Sequence, residues 1–261
     1  MRIVSWNINS VRLRLDHVRK LLQETKADII CLQETKVRDA EFPLQQLKNF
    51  GFTHVEFCGE KSYNGVAILS KVPLQNVNKH KFSIDTECRH ISANVGDIEL
   101  HNFYIPAGGD IPDASINPKF ANKLNYLDQI SEWFSQNRNL SHKMILVGDL
   151  NVAPLEHDVW SHKQLMNVVS HTEIEVEKLN KLKQTLNWCD THRKFVHEHE
   201  KLYSWWSYRN QDWRKSNRGR RLDHIWVTAN MEHNIENAWI FKDARDWSSP
   251  SDHVPIILEL K

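Results

Sequence analysis

Short apolar runs that each stop at a carboxylate or an amide constrain this chain more than any other feature of its sequence. Arg2–Ile8 predicts a strand that closes on Asn7 and is followed by Asn9. Ile29–Leu32 is apolar, too short for a helix, and stops at Gln33 and Glu34. Met144–Val147 stops at Gly148, Asp149, Leu150 and Asn151. Leu222–Val227 carries Asp223 near its start, and Val254–Leu260 follows directly on Ser251, Asp252 and His253. Tyr63–Leu69 and Ile98–Ile105 read as further strands, the second ending at Tyr104 and Pro106. Val11–Glu24 has helical spacing, with Leu15, Val18 and Leu22 on one side, and Phe120–Asn137 is a second helix. Helices alternating with strands predict an α/β layering over one domain, residues 1–261. Both halves, 1–115 and 140–261, are rich in strands, which allows two packed sheets with helices outside.

Composition narrows the class. Hydrophobic residues make up 40% of the 261, enough for a sizeable core and too many for a disordered chain. The formal charge is +1, which excludes a uniformly basic nucleic-acid binder but not a locally basic one. No run approaches ~18 apolar residues, so no membrane partner is expected. The opening MRIVSWNINS has no apolar leader segment, so a soluble cytoplasmic protein is expected. Cys31, Cys58, Cys88 and Cys189 form no C-x-x-C pair and are expected to be reduced thiols.

The residues at the strand ends share one chemistry. Asn7, Glu34, Asp149, Asn151, Asp223, Asp252 and His253 are oxygen donors and one imidazole. Hard divalent cations take oxygen ligands, and Mg²⁺ is held by one or two carboxylates together with substrate phosphate. Glu34 closes an apolar strand, so its carboxylate is placed rather than floppy. Alternation puts Asp149 and Asn151 on one side. There a carboxylate can take a proton from water and an amide can bind a phosphoryl oxygen. An imidazole beside phosphate needs an orienting acid, and Asp223 is the candidate for His253.

Segment 201–221 carries seven cations against one acid, Asp212. That is a net +6 in a chain of +1, so the remainder sums to −5. Tyr203, Trp205, Trp206, Tyr208 and Trp213 are interleaved with the cations. Cations beside aromatic faces suit a phosphate backbone next to an opened base stack. Arg12 and Arg14 follow the first polar strand end and offer further phosphate contacts.

These motifs occur in one order: SWNIN around Asn7, LQETK at 32–36, YNG at 63–65, Y-x-P-x-G at 104–108, GDLN at 148–151, SWW at 204–206, NRGRRLDH at 217–224 and PSDHVP at 250–255. The set resembles the endonuclease/exonuclease/phosphatase superfamily, and within it the exodeoxyribonuclease III branch of apurinic/apyrimidinic endonucleases. The resemblance implies a four-layer sandwich, two mixed β-sheets flanked by helices. It implies Mg²⁺, with Mn²⁺ as substitute, as one or two ions. Glu34, Asn7 and Asp252 match the metal-site residues, and a second ion would draw on Asp149, Asn151 and His253. Tyr104, Asp149, Asn151, Asp223 and His253 match catalytic positions, with the general base either Asp149 or His253. Asn9 stands where some members carry Asp. Trp205 and Trp206 match a wall beside an abasic sugar, and Arg209, Arg218, Arg220, Arg221 and Leu222 complete the expected DNA face. The implied partner is double-stranded DNA with abasic sites or blocked or recessed 3′ ends, met by a monomer. The implied activity is cleavage 5′ to the abasic site, leaving a 3′-hydroxyl, with 3′→5′ exonuclease and 3′-phosphatase or phosphodiesterase work beside it. A superfamily phosphoesterase for RNA, inositol or lipid phosphates is the rival, and an inactive damaged-DNA-binding module is the rival of another class.

Overall fold

The computed structural model describes residues 1–82, 87–210 and 212–261. The first half holds β1 (Arg2–Asn7), α1 (Leu15–Thr25), β2 (Ile29–Gln33), α2 (Leu44–Asn49), β3 (His54–Cys58), β4 (Val66–Ser70), β5 (Gln75–Asn78), β6 (His90–Val95), β7 (Ile98–Tyr104), α3 (Pro118–Asn137) and β8 (Met144–Asp149). The second holds α4 (His162–Leu165), α5 (Glu173–Thr185), β9 (Cys189–Asp190), β10 (Trp205–Trp206), α6 (Trp213–Ser216), β11 (Gly219–Arg220), β12 (Asp223–Val227), β13 (Ile235–Ile240) and β14 (Ile256–Leu260). The first helix starts later than its apolar spacing suggests, because Ser10 takes a left-handed φ of 90° and residues 11–14 form turns. Tyr63 lies outside its predicted strand and is exposed.

Among the described residues the strands form two six-stranded mixed sheets, β13-β14-β1-β2-β4-β3 and β5-β6-β7-β8-β12-β9, with β10-β11 as a separate ribbon. Side chains alternate along each strand, so β1 sends Ile3 between the sheets and Val4 and Trp6 to the other face. The layer between the sheets joins Ile3, Ile29 and Ile68 to Leu100, Val147 and Ile225. Val18 and Leu21 of α1 and Leu47 of α2 cover the outer face of the first sheet. Leu127 and Ile130 of α3 and Leu179 and Leu182 of α5 cover the second. The order is helix, sheet, sheet, helix.

Strand direction places the polar ends. β1 runs parallel to β2, and β7 runs parallel to β8, so each pair finishes at one edge. β12 is antiparallel to β8 and β14 to β1, so each of these begins where its neighbour ends. Asp223 therefore pairs in register with Asp149.

The expectation of four reduced thiols is corrected for two of them. Cys58 and Cys88 form a disulfide, with Cα atoms 5.4 Å apart, while Cys31 and Cys189 are free. Cys58 ends β3 opposite Val66, and the Gly65 N–H donates to the Cys88 carbonyl, which brings the two cysteines side by side. No helix among the described residues is long and apolar enough to cross a membrane.

Candidate active site

Four strand ends and two strand starts meet at one rim. Asn7 is the last residue of β1, and Glu34 follows β2 in a left-handed conformation, φ 51°. Tyr104 ends β7 and Asp149 ends β8. Gly148 permits that ending: a Cβ there would lie 1.9 Å from the Phe103 carbonyl oxygen. Asn151 turns the chain with φ 53°, a conformation asparagine tolerates. His253 precedes β14, and the Trp6 indole N–H holds its carbonyl at 3.1 Å.

Hydrogen bonds join the two sheets here. The Asn7 amide donates to Glu34 Oε1 at 2.8 Å and to Asp149 Oδ2 at 2.9 Å. His253 Nδ1 lies 2.8 Å from Asp223 Oδ2, and His253 Nε2 faces Asp149 Oδ2 at 3.7 Å. The Ser204 hydroxyl donates to the same Asp223 oxygen at 2.6 Å, and accepts the Leu222 and Asp223 N–H groups at 3.1 Å each. Asp252 accepts from Asn9 Nδ2 at 3.1 Å and from the Trp205 indole N–H at 2.9 Å. Lys36 Nζ reaches Glu34 Oε2 and Asn9 Oδ1, both at 2.7 Å.

The protonation states follow from this crowding. Burial pushes the Asp149 carboxyl up to about 7; the His253 charge opposes that rise, and neighbouring Asp223 and Glu34 add to it. Burial disfavours a charged His253, yet Asp223 and Asp149 outweigh it and raise the imidazole to about 10. Burial also acts to raise Glu34, but Lys36 and the Asn7 amide bring it below the usual carboxylate range. Asp252 likewise ends below that range, because His253, the Trp205 N–H and Asn9 outweigh burial. Burial, with Glu34 and Asp149 nearby, holds the Tyr104 hydroxyl protonated well above its ordinary value.

This donor set fits a hard cation. Asp149, Asp223 and His253 bring potential ligand atoms within 4.8 Å of one another, the Asn7 amide nitrogen joins Glu34 to Asp149, and His253 and Lys36 are the cations paired with the four carboxylates Glu34, Asp149, Asp223 and Asp252. One buried oxygen, Asp223 Oδ1, has no hydrogen-bond partner. A divalent ion would offset the remaining negative charge and relieve the burial cost that raises Asp149.

The cleft over these groups has a volume of about 450 Å³ and is walled by Trp205, Leu222, Val169, Arg209 and Arg220. The chain matches the Endonuclease/Exonuclease/phosphatase family over residues 4–253. It belongs to that family. An exodeoxyribonuclease of Bacillus subtilis is 31% identical, over 99% of this chain and 98% of its own. The solved structure of an AP endonuclease from Archaeoglobus fulgidus superposes with a TM-score of 0.93 at 31% identity, covering 100% of this chain and 99% of that one. A 3′ phosphatase from Neisseria, NExo, bound to a product DNA hairpin, gives 0.91 at 29% identity, covering 100% and 99%.

In this endonuclease/exonuclease/phosphatase protein the expected DNA face divides. Trp205 is half-buried in the cleft wall, with the Arg220 guanidinium 5.4 Å from its ring centroid. Arg220 is anchored through Nη1 to the Val169 carbonyl at 2.9 Å and to Ser170 Oγ at 2.7 Å, while its Nε has no partner. Arg209 and Leu222 line the cleft, and Arg218 lies over Trp160 beyond it. Arg12 is exposed and paired with Glu41 at 2.9 Å.

Three expectations are corrected. Trp206 points inward, 1% exposed, between Tyr203 and Trp213. Adjacent residues of a strand face opposite ways, so Trp205 and Trp206 cannot both form the wall. Arg221 is 1% exposed and forks onto Asp158, with Nη1 on Asp190 at 2.7 Å. Arg14 is buried, donating to the carbonyls of Ile8, Ser249 and Pro250 at 2.9–3.1 Å and to the Tyr208 hydroxyl at 3.1 Å. These two guanidiniums are spent on the fold.

Sequence reasoning missed Lys36 and Ser204, though both lie inside quoted motifs, LQETK and SWW. Nothing in either motif marks the lysine as a Glu34 partner or the serine as an Asp223 partner. Asn9 proves to bridge Lys36 and Asp252. Trp213 is a core residue whose indole N–H donates to Asp246 at 2.8 Å.

Proposed function

We propose that this protein is a metal-dependent phosphodiesterase of DNA repair that cuts duplex DNA 5′ to abasic sites and leaves a 3′-hydroxyl. The same centre clears nucleotides and blocking phosphates from 3′ ends, as the names 3′-5′ exonuclease and 3′ phosphatase given to the Neisseria relative suggest. The observation that carries this reading is the meeting of Glu34, Asn7, Asp149, Asn151, Asp223 and His253 beneath a cleft walled by Trp205, Arg209 and Arg220. An indole beside two guanidiniums along a cleft suits a phosphate backbone next to an opened base stack.

Glu34, Asn7 and Asp252 would hold Mg²⁺, which when bound would supply Lewis-acid stabilisation of the charge that builds on the phosphoryl group. Asp149 accepts the proton of the attacking water, its carboxylate held at the centre by the Asn7 amide at 2.9 Å and facing His253 Nε2 at 3.7 Å. His253, kept cationic by Asp223, holds a nonbridging oxygen with Asn151 as charge builds in the transition state. Tyr104 stays protonated and donates to the phosphate.

The test is a cleavage assay with Mg²⁺ on three matched duplexes: a central tetrahydrofuran abasic analogue, an intact base, and a recessed 3′ end. Cleavage of the abasic duplex, abolished by EDTA and restored by Mg²⁺, is expected. Hydrolysis of phosphoesters outside nucleic acids alone would overturn the reading. Asp149→Asn should lose turnover and keep DNA affinity.

A further inference from the structure

We infer that Lys123 and Glu175, an ion pair buried beneath the cleft, are positioning residues that set Asn151 and the two loops at the cleft mouth. The inference rests on the reading above in which Asn151 binds the scissile phosphate.

Both side chains are 0% exposed. Lys123 comes from α3, and its ammonium donates to the Asn151 carbonyl at 2.8 Å, to the Ala107 carbonyl at 3.4 Å and to the Glu175 carboxylate. Its three protons thus meet three acceptors. Glu175, in the first turn of α5, accepts the Ser170 N–H at 2.9 Å on both oxygens, the Thr172 N–H at 3.2 Å and the Thr172 hydroxyl at 2.7 Å. One chain of contacts therefore ties the exit of β8, the loop after β7, and segment 168–172. Those three segments supply Asn151, Ala107, Gly109, Val168, Val169 and Ser170 to the cleft lining. Gly108 closes against the lysine stem, where a Cβ would come within 2.9 Å of Lys123 Cδ.

Stability alone does not account for this arrangement. A buried ion pair gains little over well-packed apolar side chains of similar volume, whereas losing one partner is costly. What the pair does supply is fixed geometry. Asn151 sits at φ 53° with its side-chain amide on the Ile105 carbonyl at 2.9 Å, and Lys123 holds the carbonyl of the same residue. Both ends of Asn151 are clamped, and a shift of ~1 Å in a phosphate-binding group can cost about 100-fold in rate.

The test is the double variant Lys123→Met/Glu175→Leu, which removes both charges together. Its melting temperature and its kcat and KM on the abasic-analogue duplex with Mg²⁺ are measured beside wild type and Asn151→Ala. We expect melting within a few degrees of wild type, an unchanged KM and a kcat lower by about 100-fold. A folded double variant with wild-type kcat overturns the inference, provided Asn151→Ala is itself slow. If Asn151→Ala keeps wild-type turnover, the phosphate-binding role of Asn151 fails instead. Glu175→Gln guards against a double variant that does not fold, because it keeps the side chain's volume while an amide nitrogen facing the Ser170 and Thr172 N–H groups breaks the loop contact and Lys123 loses its counter-charge; its melting temperature is read beside its kcat. Its kcat should fall about tenfold, the loss of about one net hydrogen bond; wild-type kcat there also overturns the inference.

Discussion

Replacing Arg221 by Met separates a guanidinium that serves the fold from one that serves DNA. Arg221 donates to Asp158 at 2.8 and 2.9 Å and to Asp190 at 2.7 Å, and Asp158 is fully buried. Met fills similar volume but leaves both carboxylates without this partner; Asp158 retains Arg193 and the Leu155 N–H at 3.1 Å. Breaking a buried pair from one side costs about 3–5 kcal/mol. An unfolding entropy of about 2.1 cal/mol/K per residue gives about 0.55 kcal/mol/K for 261 residues. The melting temperature should therefore fall by about 5–9 °C, read by calorimetry or circular dichroism. DNA affinity at 25 °C and its salt slope should be unchanged, since the side chain is 1% exposed. A melting shift below ~2 °C, with a salt slope shallower by about 1, would show that Arg221 contacts a phosphate and would refute the argument.

Four further outcomes are expected. Burial holds His192 and His224 neutral in the fold, at about 4 and about 3 against an ordinary 6.5. The unfolded chain therefore binds these protons first, and stability should fall as pH drops below about 6.5, by roughly 1.4 kcal/mol per pH unit per site until the folded values are reached, the two histidines together outweighing Asp149, whose raised carboxyl contributes the opposite sign over the same window. Urea melts at pH 7 and pH 5 with equal midpoints would contradict this. Ser204→Ala removes the hydroxyl that holds Asp223, and kcat should drop about tenfold with KM unmoved, from the loss of about one charged hydrogen bond. Trp205→Ala should weaken binding of the abasic duplex by about 1–3 kcal/mol in a titration. Trp206→Ala should instead cost about 3–5 kcal/mol of stability in a denaturant melt. Exchanged effects would mean the two indoles are wrongly placed.

The layers and the rim residues were legible for a physical reason. A carboxylate costs least at the end of a strand buried on both faces, so Glu34 and Asp149 after apolar runs mark both the strand and the edge where polar groups collect. The partners were not legible. Arg221 in a basic run looks the same whether it faces phosphate or is neutralised by Asp158, 63 residues earlier. Trp205 and Trp206 differ only by the direction of one pleat, which depends on the ribbon β10-β11 that the sequence did not announce. Cys58 and Cys88 meet because β3 and the segment ahead of β6 lie side by side, a matter of topology. Lys123 and Glu175 sit at ordinary helical positions, where a charge normally faces water.

The order of the first sheet has a consequence for how the enzyme comes into being. β14, which follows every other described strand in chain order, lies between β13 and β1, and the Met1 amine donates to the Leu260 carbonyl at 2.6 Å. A growing chain that has reached only residue 240 holds Asn7, Glu34, Asp149 and Asp223 but neither His253 nor the strand that completes that sheet. The centre is thus assembled only when residues 253–260 have joined the sheet and set His253 against Asp223.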